Sequence, residues 1–414
     1  MRVPLPRLSH PRNKSYRKNC EFYILQRKNK NNMQVLVAPD AFKGSATAFE
    51  AATAMQQGVL RVFPHASVLK CPIADGGEGT VDSLVYATHG SFETTQVTGP
   101  LGEMVDARWG ILGDGITAVI EMAASSGLGL VPPEKRNPAI TTTYGTGELI
   151  LAALDKGIRT IILGIGGSAT NDGGVGCISA LGARFLDASG SPLPFGGQAL
   201  ADLASIDLQG LDSRLKETAI TIASDVSAPL CGQQGATHIF GPQKGATPAM
   251  VQELDKALAH YAALATQTTG RNSAAIKGSG AAGGLGAGLL YFTNANLELG
   301  IDLILRTLDF AFLIEDCQFI ITGEGMTDRQ TTLGKAPIGV AKVAEKLGIP
   351  VLCVSGSLGK GYESIYSHGI SAATSCVQRP MSLDESMANA PDLIARATER
   401  ICKAIAIGMR IEEK

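Results

Sequence analysis

Aromatic side chains make up only 5% of the 414 residues, and no apolar run reaches the roughly 18 residues a spanning helix needs. The apolar stretches are cut by Gly or charge, which excludes a helical membrane protein. No C-x-x-C pair occurs among the eight cysteines, at 20, 71, 177, 231, 317, 353, 376 and 402, and no Cys/His cluster. That argues against a zinc site and for reduced thiols in a cytoplasm. The glycine loop over 163–176 is neither a Walker A loop nor a G-x-G-x-x-G, and no G-x-S-x-G elbow occurs in the chain. None of the six histidines falls in a carboxylate-rich loop; His238 comes nearest, so a Ser-His-Asp hydrolase is poorly supported.

What the chain has in excess is glycine, 49 residues or about 12% against a usual ~7%. With 45% hydrophobic and 18% charged residues, this suits an α/β enzyme with backbone-lined loops, and the length suits two domains. The net charge of −2 is uneven. Residues 1–32 hold nine Lys/Arg and one acid, Glu21, and so carry +8; the remainder carries −10. We read 1–32 as a disordered basic extension ahead of a functional start at Met33, since it lacks an apolar h-region and an amphipathic period. A body at −10 argues against nucleic-acid binding.

From Met33 the pattern is strand ("QVLVAP"), loop, helix ("AFEAATAMQQGVLRVF") and strand ("SVLKCPI"). The C-terminal third repeats it, with strands at "QFIITG", "PVLCVSG" and "ISAATSC", helices at "PIGVAKVAEKLG" and "YESIYSHG", and a last helix over 384–407. This alternation predicts a doubly wound parallel sheet. Residues 91–123 alternate apolar and polar with turn signals, which predicts antiparallel strands. The expected organisation is one discontinuous α/β domain, 33–90 plus 285–410, interrupted by a second α/β domain at 91–284.

Five polar loops follow predicted strands: 38–45, 72–80, 164–174, 224–246 and 322–337. In "GIGGSATNDGG" bare backbone ahead of a helix suits an anion, the competing reading being a tight turn with Asn171 or Asp172 as helix cap. "ADGGEGT" presents Asp75 and Glu78 to a metal, a hydroxyl or a proton, or else caps the next helix. Glu324 and Asp328 repeat the pairing in "TGEGMTDRQ". Lys43, Lys244 and Lys335 lie in the same loops, where they suit phosphate oxygens, or else are solvated surface. Together these groups describe phosphoryl transfer.

The ordered set "VLVAPDAFKGS", "PIADGGEGT", "GIGGSATNDGG", "DVSAPLCGQQGATHIFGPQKGA", "GSGAAGGLGAG" and "TGEGMTDRQTTLGKAP" resembles the motifs of the bacterial type I glycerate kinase family, from about residue 33 to 410. The resemblance implies two α/β domains, one flavodoxin-like and one a mixed sheet with a restriction-enzyme-like core. It implies ATP-dependent phosphorylation of D-glycerate to 2-phosphoglycerate, with ATP and Mg²⁺ as cofactors and no membrane or nucleic-acid partner. A homodimer is left open. So are 3-kinase regiochemistry and a sugar-acid-binding regulatory module without turnover. Placed on matching motif positions, the chemistry makes Asp75, Asp172 and Lys43 the candidate catalytic residues and Glu324 and Asp328 the metal candidates. Substrate and phosphate binding would fall to Asp40, Lys43, Gly76, Gly77, Glu78, Gly167, Ser168, Thr170, Asn171, Asp225, Lys244, Gly283, Gly284 and Lys335.

Overall fold

A computed structural model describes residues 32–412, so the basic extension lies outside the described residues apart from Asn32. Buried β-rich runs form the predicted strands. Strand Gln34–Pro39 lies between Ser67–Lys70 and Phe319–Gly323, and Val351–Ser355 and Ile370–Ser375 continue the sheet on the latter side. All four pairings are parallel. In chain order the strands run 2-1-3-4-5, the flavodoxin-like arrangement, whose order reverses between Gln34–Pro39 and Phe319–Gly323.

The second sheet has the order Asn296–Glu298, Ala219–Ala223, Thr160–Gly164, Thr117–Glu121, Met104–Ile111 and Ser91–Thr98. Its first four strands are parallel, and the last two join as an antiparallel hairpin, as the alternation over 91–123 predicts. Residues 285–298, expected with the flavodoxin-like unit, belong to this sheet instead. Helix Leu285–Phe292 buries Leu285, Leu289 and Phe292 in its core, and Asn296–Glu298 pairs with Ala219–Ala223.

Two further expectations shift. The segment 384–407 is two helices, Leu383–Ala388 and Ala390–Glu412. Pro391 explains the break, since a proline has no N–H to continue the first helix and is tolerated in the first turn of the second. The segment "YESIYSH" forms a tighter 3₁₀ helix, Tyr362–His368.

The two sheets are joined by a common core. Val119, Ile162 and Ala223 of the mixed sheet cluster with Leu36, Ile320 and Cys353 of the parallel one. Helices Thr80–Thr88 and Gly300–Thr307 fill the space between them through Val81, Leu84, Ile301 and Ile304.

Candidate active site

In open α/β sheets the crevice beyond the strand ends at the order reversal is where ligands bind. The structure has a cavity of about 600 Å³ there, lined on its polar side by Asp40, Lys43, Asp75, Glu324 and Lys335. Asp40 directly follows Gln34–Pro39, and Glu324 directly follows Phe319–Gly323.

Asp75 comes from the loop after Ser67–Lys70, which leaves its own sheet and crosses to the other one. A Cβ on Gly76 would lie 2.8 Å from that of Ala223, and one on Gly166 would lie 3.0 Å from the Gly77 Cα. Gly300 is tighter still, since a Cβ there would stand 1.8 Å from the Asp75 carbonyl oxygen. The Gly300 amide donates to Asp225 Oδ1 at 3.0 Å, so one glycine backbone fixes both acids. Asp75 Oδ1 accepts from the Gly77 amide at 3.1 Å. Asp75 does not cap the following helix: the Val81 amide donates to Glu121 Oε1 at 2.7 Å, a partner at the end of another strand that no local motif signals.

The acids feel one another. Asp40 is buried, and that burial, reinforced by the Asp75 charge, pushes its carboxyl up to about 7, against the opposing pull of the Ala41 amide and Lys43. Asp225 is open to solvent on one side, yet lost hydration in the cleft and the same Asp75 charge push it up to about 7 as well. The Asp75 charge therefore acts on Asp40 and on Asp225, and Lys43 opposes it at both. Burial also raises Glu324, whose Oε1 accepts from Thr331 Oγ1 at 2.6 Å and Thr327 Oγ1 at 3.0 Å while Oε2 faces Lys335 Nζ at 3.5 Å. Thr327 and Thr331 were readable as the third and seventh residues after Glu324 in one motif, but the sequence reading passed over them.

Several expected site residues lie elsewhere. Asp328 Oδ1 accepts from the Gln330 amide at 2.8 Å and caps the turn Arg329–Leu333, so it does not share a metal position with Glu324. Asp172 is fully enclosed, and its Oδ2 accepts from the Thr143 amide and hydroxyl, both at 2.8 Å. Its Oδ1 accepts from Gly174 at 3.1 Å, so this carboxylate organises the loop; it lines a separate cavity of about 260 Å³ and not the one at the switch point. Lys244 is 1% exposed and donates to the Thr170 carbonyl at 2.6 Å; burial lowers it to about 7. It braces the glycine loop from beneath and meets no solvent phosphate.

Much of the glycine loop is shaped by the backbone it packs against. A Cβ on Gly283 would stand 2.0 Å from the Thr170 carbonyl oxygen, and one on Gly284 2.8 Å from the Gly173 Cα. Thr170, Asn171, Gly283 and Gly284 are buried in this loop-on-loop contact, with Asn171 Nδ2 donating to Thr237 at 2.9 Å. Ser168 is likewise buried, and only Gly166 and Gly167 reach the surface. Gly76 is buried beside Asp75, whereas Glu78 is exposed.

A two-domain α/β protein with carboxylates and lysines at a flavodoxin-like switch point has the form of a phosphotransferase. The glycerate kinase family model matches residues 35–406, and the chain belongs to that family. It is 52% identical over 373 residues to a glycerate kinase of Bacillus subtilis (strain 168), covering 90% of this chain and 98% of the relative. It is 50% identical over 378 residues to the glycerate 2-kinase of Escherichia coli (strain K12), covering 91% and 99%. A crystal structure from Salmonella typhimurium LT2, assigned as glycerate kinase 2, matches with a TM-score of 0.83 at 46% identity, over 92% of this chain and all of that one. Among the described residues no helix is long and apolar enough to cross a membrane, and seven cysteines are free thiols.

Proposed function

We propose that the chain is an ATP-dependent D-glycerate 2-kinase working in the cavity at the switch point, with Asp75 as its proton acceptor. The observation that supports the residue assignment is that Asp75 lines the cavity with Asp40, Lys43 and Lys335, on a loop packed against Gly300. Its Oδ1 is held by the Gly77 amide, which orients the carboxylate within the cavity wall. The glycerate 2-hydroxyl oxygen attacks the γ-phosphorus. The new O–P bond forms as the bond from that phosphorus to the bridging oxygen of ADP breaks, and the hydroxyl proton passes to Asp75. Lys43 and Lys335 neutralise phosphate and glycerate carboxylate charge, and positioning supplies much of the remaining rate. The name of the E. coli relative supports the 2-hydroxyl as acceptor.

The residues fit Mg²⁺ brought in on the nucleotide. Among the described residues no group of three His, Cys, Asp or Glu makes a ready cage. Mg²⁺ usually keeps waters and takes one or two carboxylates plus substrate phosphates. Asp40 and Asp225, both raised by lost hydration and then by the Asp75 charge, are the acids that would hold it. Bound there, Mg²⁺ would neutralise the β- and γ-phosphates. Glu324 does not fit this role because its oxygens already serve two threonines and Lys335. The free thiols support a cytoplasmic setting.

A coupled assay of ADP release tests the reading. Turnover should require ATP, D-glycerate and Mg²⁺ together. Absence of ADP release with all three contradicts the kinase, and full turnover in chelator contradicts the metal.

A further inference from the structure

The cavity has a second, apolar end that the carboxylates and lysines do not use. Its floor is Phe42 and Ile394, both buried. Its walls are Met381 and Met387, with Val377 and Leu383 at the rim, 40% and 73% exposed. Exposed aliphatic groups around a concave apolar floor leave hydrophobic surface in water until something flat and apolar covers it. Thioether side chains suit such a cover, since methionine adapts its shape and packs well on aromatic rings.

We propose that this apolar end, formed by Phe42, Met381, Leu383, Met387 and Ile394, seats the purine base of the adenosine nucleotide. The occupant follows from continuity, because base end and polar end are one cavity of about 600 Å³, within the ordinary range for a small-molecule pocket. A purine here leaves its phosphates to run towards Lys43 and Lys335. The two ends are also mechanically linked. Gly44, at φ 78°, packs so closely on the base wall that a Cβ there would lie 2.9 Å from Met387 Cε. The turn that carries Lys43 therefore rests against the residue that would touch the base.

This assignment rests on ATP being the donor, and the test separates the two. Leu383→Asp changes a side chain that is largely in water, and Met387→Ala removes the wall beside Gly44. Binding is measured directly for ATP and, by competition, for inorganic tripolyphosphate, which has the phosphates without the base; melting temperature verifies folding. Both variants should weaken ATP about tenfold or more, the scale of one lost aliphatic contact, and leave tripolyphosphate within about twofold. In turnover the KM for ATP should rise while the KM for D-glycerate holds. Unchanged ATP affinity in both folded variants, or equal weakening of ATP and tripolyphosphate, overturns the base site. A parent protein that binds ATP but does not turn over D-glycerate contradicts the kinase reading and leaves the base site to be judged on the binding data.

Discussion

At the scale of single residues, two aspartates of the cleft make opposite predictions. Asp75→Asn keeps the shape and the acceptor for the Gly77 amide but cannot take a proton, so kcat should fall roughly 10²-fold or more. Its melting temperature should hold, because Glu121 satisfies the Val81 amide of the adjacent helix. Parental kcat in this variant would remove Asp75 from the chemistry. Asp40 is the reverse case. Its carboxyl, ordinarily near 3.8, is held at about 7 in the folded protein, so the fold binds that proton more tightly than the unfolded chain does. Stability from this group is complete below about pH 4 and is lost as pH rises to about 7, at a cost on the order of a few kcal/mol above that. Asp40→Asn, measured without nucleotide and in chelator, should therefore melt higher than the parent at pH 8 and converge with it near pH 4. A lower melting temperature for the variant at pH 8 would contradict this origin of the shift. Activity should fall in the same variant, as expected where a site is held at the expense of stability.

At the scale of elements, strands and polar loops were legible because buried β-rich runs end in Gly- and Asp-rich turns. "QVLVAP", "QFIITG" and "PVLCVSG" all became central strands of the parallel sheet. The partners of those loops were not legible. A sequence shows that Gly283 has no side chain, but not that the Thr170 carbonyl fills the space. Nor does it show that Lys244, in a glycine-rich loop that suits phosphate, is enclosed beneath that loop. The boundary near 285 fell short for a related reason, since only pairing of Asn296–Glu298 with Ala219–Ala223 reveals where that stretch belongs. Gly300 was missed altogether, being a single glycine whose role lies in two distant acids. Gly300→Ala would set a methyl 1.8 Å from the Asp75 carbonyl, so Asp75 and Asp225 must both shift. kcat should drop at least about tenfold with a lowered melting temperature. Gly408→Ala, at the exposed end of the last helix with nothing within 4 Å, should keep kcat and gain up to about 1 kcal/mol. Parental kcat in Gly300→Ala would show that the loop can yield without disturbing the acids.

At the scale of the whole molecule, the two sheets are not independent units. Helices Thr80–Thr88 and Gly300–Thr307 belong to one continuous core that touches both, and each helix begins beside an acid of the cleft. Asp75 lies just ahead of the first, and Asp225 is bonded to the first residue of the second. The loop that carries Asp75 is therefore held where both sheets pack together, which ties its geometry to the shared core. The most direct measurement is phosphorus NMR of the product formed from D-glycerate, ATP and Mg²⁺. The account predicts a phosphate ester on the secondary carbon, its phosphorus signal split into a doublet by the one proton there. A triplet from an ester on the terminal CH₂, or no ester at all, would contradict it.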